Sequence, residues 1–136
     1  MFQPKDPDRF YPIVWQIVEQ IPYGRVSSYG QIASMIPPPP DYDPLRYAHV
    51  RARWVGTAMR LSIGADIPWH RVINSRGMIS GLPQPGARDE QRIRLEAEGI
   101  IFSEEPERVD FKIFGWSGPP DEWLEERGLL RPKILK

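Results

Sequence analysis

The sequence predicts a mostly α-helical single domain of winged helix-turn-helix type, with a small β-hairpin as the wing. Three observations carry that expectation. Apolar residues recur at three and four between Phe10 and Ile21; a capped short segment at Ser28 precedes an arginine-rich stretch opened by Asp43-Pro44; and two short apolar runs flank Asn74-Ser75-Arg76-Gly77.

Phe10, Ile13, Val14, Ile17, Val18 and Ile21 share one helical face, so a helix is expected there, with Pro12 near its first turn and Pro22-Tyr23-Gly24 as its stop. Ser28-Tyr29-Gly30-Gln31 fits the S-x-x-Q capping box and should open a short helix from Tyr29 that ends at Pro37. Pro37-Pro38-Pro39-Pro40 and the residues to Pro44 fix φ and withhold donors, which makes a stiff extended loop; such a loop can also serve as a ligand for a proline-binding partner. Asp43 as N-cap with Pro44 behind it begins a second helix reaching about Leu61, with Val50, Trp54, Val55, Ala58 and Met59 turned inward and Gly64 closing it. The turn between these two helices is far longer than the usual three or four residues.

Beyond them, Arg71-Val72-Ile73 and Met78-Ile79 read as strand, turn and strand. A helix is expected from about Ala87 to Glu98, stopped by Gly99, and Val109 to Phe114 alternates like a half-buried strand. No repeat or second domain is visible, so residues 1–136 form one unit.

Composition narrows the chemistry. The 136 residues carry 18 Lys+Arg, 18 Asp+Glu, two histidines and no cysteine. A thiol nucleophile, a disulfide framework and every cysteine zinc site are therefore excluded, and His49 and His70 alone make a metal site unexpected. No cofactor is implied. No apolar run reaches about 18 residues, and the start, Met1-Phe2-Gln3-Pro4-Lys5-Asp6, lacks the order of a signal peptide, so the reading is a soluble cytoplasmic protein without membrane contact. Charge is uneven: residues 1–45 sum to −2, residues 46–76 to +5 and residues 77–136 to −3. All six basic groups of the middle third are arginines (Arg46, Arg51, Arg53, Arg60, Arg71, Arg76), the side chain whose planar fork suits phosphates and bases; a solvated helix face is the other reading.

The densest group of functional side chains is Ile67-Pro68-Trp69-His70-Arg71-Val72-Ile73. Either something is recognised there, or Trp69 is a core anchor and His70 a satisfied buried histidine. Pro68 to Ile73 resembles the P-C-H-R-V-[IV] active-site signature of the O6-alkylguanine-DNA alkyltransferases, with Trp69 standing where those enzymes carry their alkyl-accepting cysteine. Val14-Trp15, then Ile21 to Ala33, is similar to that family's first two helices, and Arg53-Trp54-Val55-Gly56-Thr57-Ala58-Met59 is similar to its R-A-V-G-x-A-M recognition helix. The resemblance covers about residues 10–102, closes at Glu98-Gly99, and leaves 103–136 as a C-terminal extension in which Phe114-Gly115-Trp116 resembles tails of bacterial alkyltransferase-like proteins. The swap of cysteine for tryptophan points to the alkyltransferase-like group, which binds alkylated guanine without repairing it.

That resemblance implies roles. Guanine O6 lies within the stack, so close inspection requires flipping the nucleotide at a cost of a few kcal/mol, least where pairing is already damaged. Arg53 would be the finger that fills the gap, its alternative being one more phosphate contact. Tyr29 would press on the phosphate beside the target, its alternative being a core tyrosine. Gly56, Ala58 and Arg60 would belong to the surface that enters the minor groove. Trp69 would floor the lesion pocket, with Ser80 and Gly81 in one wall, stiffened by Pro83-Gln84-Pro85. His70 and Glu98, which match the proton relay of the enzymes, would only order the pocket, and Arg71 would form an internal salt bridge. Ser62 falls where the family often has asparagine at the hinge, and the loop from Ser62 to Trp69 is one residue short.

The function expected is therefore a non-enzymatic damage sensor that binds O6-alkylguanine in double-stranded DNA and directs it to nucleotide excision repair proteins. It would act as a monomer, nucleoid-associated in a bacterium or nuclear in a eukaryote. A cysteine-free repair enzyme using His70 and Glu98 on water, and a plain winged-helix DNA binder without a working pocket, are the rival readings. Acidic Glu104-Glu105-Pro106-Glu107 and Asp121 to Glu126 should face away from DNA.

Overall fold

A computed structural model describes residues 4, 6–63, 65–80 and 85–136. Gly64 and the segment Gly81 to Gln84, expected to close a helix and to stiffen a pocket wall, lie outside the described residues. Helix α1 (Pro7–Val18) buries Phe10, Tyr11, Val14, Ile17 and Val18 along the expected face. It begins earlier than Phe10, so Pro12 falls inside it rather than in its first turn. The missing N–H there leaves the carbonyl one turn back without its helical partner. Strand β1 (Ser27–Ser28) leads directly into helix α2 (Tyr29–Ser34), and helix α3 (Pro44–Ser62) follows after the proline loop. Asp43 caps α3, its carboxylate accepting from Leu45 N at 3.1 Å, with Pro44 in the first turn as expected.

The long α2–α3 connection is held by aromatics. Tyr42 from the loop meets Trp54 of α3 edge-on at 5.4 Å, Phe10 of α1 meets the same indole at 5.6 Å, and Tyr47 lies 5.6 Å from it. The Tyr47 hydroxyl donates to the Ile36 carbonyl at 2.7 Å. Burial pushes that phenol up to about 12 against the pull of Arg51, so it stays a donor. The expected helix-turn-helix thus forms despite its turn, because the aromatic side chains supply the packing that a short turn would give.

The β-hairpin wing does not form. Trp69–Arg71 is a turn of 3₁₀ helix, and strand β2 (Val72–Ile73) pairs with β1 in parallel, Ser27 opposite Val72 and Ser28 opposite Ile73. Met78-Ile79 is no strand; the Asn74 carboxamide instead accepts from Arg76 N and Met78 N and closes the turn on itself. Gly77 completes it at φ +78, where any Cβ would strike the Val109 carbonyl. The two apolar runs predicted a hairpin because period and turn chemistry were right; the partner that won was the distant β1.

Helix α4 (Ala87–Ala97) matches its expectation. The extension departs from it: Val109 makes one antiparallel bridge to Phe102, but Phe111–Phe114 is a short helix, α5, capped by Asp110, whose side chain accepts from Lys112 N at 2.9 Å. An Asp at the cap position overrode the alternating pattern. Helix α6 (Asp121–Glu126) had no counterpart in the sequence reading. One core joins α1, α2, α3, Trp69, Val72, Trp116 and Leu124; a second joins Val26, Ile73, Leu95, Ile100, Val109 and Phe111.

Only half of the capping box forms. Ser28 Oγ accepts from Gln31 N at 3.0 Å, but the Gln31 side chain turns away from it. Its Oε1 accepts from Ser27 Oγ at 2.6 Å, and its Nε2 donates to the carbonyls of Trp116 at 2.7 Å and Lys133 at 3.3 Å. A buried carboxamide in α2 thereby fastens two points of the extension to the domain. Gln31→Ala leaves those carbonyls without their donor and should destabilise the protein by about 1–3 kcal/mol. Urea unfolding would measure the loss, and limited proteolysis would show cleavage entering first after Trp116.

Candidate nucleic-acid interface and base pocket

A cleft of 530 Å³ runs between the start of α2 and the exposed face of α3, lined by Tyr29, Gly30, Ala52, Arg53, Gly56, Arg60, Asn74, Ser75, Ser80 and Lys133. The periodicity of α3 explains it. Trp54, Val55, Ala58 and Met59 turn to the core, so Arg53, Gly56 and Arg60 necessarily fall on the opposite side. Arg53 and Arg60 are exposed. Thr57 links them: its hydroxyl donates to the Arg53 carbonyl at 3.2 Å and accepts from Arg60 Nη2 at 3.2 Å. Gly56 leaves an open notch, where an added Cβ would meet only an Arg60 nitrogen at 3.9 Å.

One expected surface residue lies elsewhere. Ala58 is 0% exposed in the core, and its carbonyl accepts from Trp15 Nε1 at 3.0 Å; two residues beyond Gly56 on a helix is the far face, so Ala58 cannot meet a groove. Tyr29 is half-buried at the cleft and pairs with the Ser80 side chain. Burial raises its phenol above the ordinary value, with Ser80 and Arg60 pulling the other way, so it is a neutral group at the cleft wall. Gly30, Ala52, Asn74, Ser75 and Lys133 were not singled out from the sequence. Asn74 carried a signal as the turn residue; Lys133 carried none, because it stands about a hundred residues from the helix it lies against.

Trp69 is only 3% exposed and absent from the cleft lining. Arg94 of α4 stands 5.4 Å from its ring centroid, and His70 meets it edge-on at 6.2 Å. Trp69 Nε1 and His70 Nδ1 are both buried without a hydrogen-bond partner among the described residues. Each such orphan costs energy in the free protein. Trp69 thus has the burial of a core residue together with a donor that core packing leaves unmet.

The neighbouring polar network centres on Glu98. Glu98 accepts from Gly24 N at 2.9 Å, from His70 Nε2 at 2.6 Å, and from Arg71 Nε and Nη2 at 2.9 Å each, while Arg71 Nη1 donates to the Ile21 carbonyl at 2.8 Å. Arg71 is the internal salt-bridge former that the resemblance implied. Burial pushes the Glu98 carboxyl up, but Arg71, the Gly24 N–H and His70 outweigh it and hold it below the ordinary value. For His70 the balance goes the other way: burial lowers it in spite of Glu98, so the ring is neutral with its proton on Nε2.

Both groups bind protons more weakly folded than unfolded. Stability should therefore be fully present above pH 6.5, fall as pH drops below that value because of His70, and fall further below pH 4.5 as Glu98 is protonated. Glu98→Gln should cost up to about 3 kcal/mol, since the half-buried Arg71 is left without its counter-charge. Denaturant unfolding at a series of pH values checks both, and the variant should lose the step below pH 4.5.

Comparison with known proteins places this geometry. Residues 9–100 match the 6-O-methylguanine DNA methyltransferase DNA-binding domain. Alkyltransferase-like protein 1 of Schizosaccharomyces pombe is 45% identical over 94 residues, which cover 68% of this chain and 78% of that protein. A DNA base-flipping protein of Vibrio parahaemolyticus is 43% identical over 98 residues, covering 71% and 86%. The crystal structure of S. pombe Atl1 in complex with damaged DNA containing O6-carboxymethylguanine superposes with a TM-score of 0.61 at 38% identity, covering 83% of this chain and 97% of the other. With Trp69 where the enzymes hold cysteine and no cysteine anywhere to accept an alkyl group, this chain belongs to the alkyltransferase-like branch of the 6-O-methylguanine DNA methyltransferase DNA-binding family.

Proposed function

We propose that the protein is a non-enzymatic sensor of O6-alkylguanine in double-stranded DNA, which flips the damaged nucleotide towards Trp69, holds it, and hands the site to nucleotide excision repair proteins. The observation that carries this reading is the cleft itself. Among the described residues it is lined by Arg53, Arg60 and Lys133 without a carboxylate, in a chain that carries a tryptophan in the position of the lost nucleophile. Phosphates favour such a wall. Gly56 leaves room for the sugar-phosphate edge of a minor groove, and Arg53, exposed in mid-helix, has the reach and planarity to stack in the gap and to donate to the orphaned base.

Trp69 is covered in the free protein, so a base reaches it only when its surroundings shift. Binding then gives its unmet N–H an acceptor and its ring an apolar alkyl group. The lesion is favoured twice: its pairing is weaker, which lowers the cost of flipping, and its alkyl group buries apolar area. Hydrolytic repair by His70 and Glu98 does not suit the geometry. Both carboxylate oxygens are taken by Arg71, Gly24 and His70, which leaves none to activate water. The protein acts as a monomer, in the nucleoid of a bacterium or the nucleus of a eukaryote. Among the described residues no helix is long and apolar enough to cross a membrane.

The test compares affinities for one duplex with a single O6-methylguanine and for the same duplex with guanine, at one near-physiological salt concentration. A tenfold or greater preference, about 1.4 kcal/mol, is expected; equal binding would overturn the sensor reading, and recovery of guanine would make the protein an enzyme. Arg53→Ala should weaken lesion binding sharply, while Trp69→Ala should lower lesion preference more than binding to undamaged duplex. Gly56→Leu should fold with at least wild-type stability, because it replaces a helix-interior glycine worth about 1 kcal/mol less than alanine, yet lose binding to both duplexes through the blocked notch. Melting curves and titrations on the same samples would separate those effects.

A further inference from the structure

Lys133 belongs to the C-terminal extension, outside residues 9–100, yet its side chain lies in the cleft. Its position is set by the backbone. The Lys133 carbonyl accepts from Gln31 Nε2 at 3.3 Å, and its N–H donates to Ser34 Oγ at 3.0 Å, so the residue is held against α2 from both sides. The chain on either side is seated too. Leu130 N donates to the Met35 carbonyl at 2.8 Å, the Pro132 ring covers Gly118 where any Cβ would collide with it, and Leu135 packs on the second core.

The side chain runs over Gly30. A Cβ built there would come 2.7 Å from Lys133 Nζ and 3.1 Å from its Cε, so the ammonium occupies the space that this glycine leaves beside Tyr29. Lys133 is exposed and, among the described residues, no ion pair holds it. Its neighbour Arg131 is instead committed to Asp121 at 3.2 Å. A pinned lysine backbone that aims an exposed ammonium into a cleft with two arginines and, among the described residues, no acidic group is a poor arrangement for folding, since three cations line one cleft. It is a good one for an anion that spans them.

We infer that Lys133 is a phosphate-binding residue for DNA in the cleft, so that the extension closes the grip on the backbone from the α2 side while α3 enters from the other. This rests on the reading that DNA occupies the cleft, but not on lesion preference. A phosphate contact adds affinity for any sequence and strengthens binding to damaged and undamaged duplex alike.

The experiment measures affinity against salt concentration for the full chain and for Lys133→Gln and Lys133→Arg, on the O6-methylguanine duplex and its undamaged twin. Each neutralised phosphate contributes about 0.9 to the slope of log K against log salt. Lys133→Gln should make that slope shallower by about 0.9 on both duplexes, and Lys133→Arg should keep the wild-type slope. Both variants retain the backbone bonds to Gln31 and Ser34. An unchanged slope for Lys133→Gln, or an equally shallow one for Lys133→Arg, would overturn the assignment. Loss of lesion preference in the wild-type protein with the slope change intact would overturn the sensor reading alone, and a wild-type protein that binds neither duplex would overturn both.

Discussion

Glu98 is the point on which the site's geometry depends. Its carboxylate joins three segments that sequence keeps far apart: the turn at Gly24 that follows α1, the 3₁₀ turn carrying His70 and Arg71, and its own position at the end of α4. Arg71 extends the junction to the Ile21 carbonyl, and Tyr23 adds a hydroxyl bond to the Ala97 carbonyl at 3.0 Å. With those held, β2 is delivered to β1 in register. A charged group at 7% side-chain exposure is an expensive anchor, stabilising only because every lone pair it offers is met. In the enzymes the matching histidine and glutamate would serve proton transfer. Without a thiol to activate, what remains is the positional effect.

The sequence carried the helices well, because their evidence is local. Apolar spacing, Asp43-Pro44, Ser28 and the glycine at position 99 each act within a turn or two of themselves. Pairing is different. Val72 and Ile73 read correctly as a strand, but nothing near them says that their partner is Ser27-Ser28 rather than Met78-Ile79; that choice is made by Glu98 and by packing across the two cores. Residues 109–114 alternate as a strand should, and an aspartate at the cap position turned them into a helix. For the site, the side of α3 bearing Arg53, Gly56 and Arg60 followed from periodicity, which should also have excluded Ala58 from it. Family likeness assigned Ala58 to the surface; the helix's own arithmetic assigned it to the core.

The extension shows how a polar residue can be read rightly for the wrong bond. Gln31 fits a capping box, and Ser28 does cap, but the carboxamide is worth more to the buried carbonyl of Trp116 and the carbonyl of Lys133 than to an N–H at a helix start. An unpaired buried carbonyl costs the full desolvation of the group, whereas an exposed helix end can turn to water. Choosing the buried partners couples α2 to the chain's last segment. Val26 strengthens the coupling by bridging Gly115, with Val26 N donating to the Phe114 carbonyl and Trp116 N to the Val26 carbonyl. The extension therefore behaves as part of the domain.

Rigidity is also the answer to the proline loop. The entry into the duplex proposed for Arg53 works by differential cost: the residue must enter without first losing much of its own freedom. Residues 35–43 are too many for a tight helix-turn-helix connection, and a flexible stretch of that length would let α3 rock. Four prolines remove most of the backbone freedom in the loop, Tyr42 and Tyr47 clamp it to Trp54, and Phe10 closes the same indole from α1. Trp54 is the residue next to Arg53, so the aromatic cluster that restrains the loop also restrains the backbone that carries Arg53. The proline loop and the stretch of α3 that carries Arg53 are thus held by one packing arrangement around Trp54.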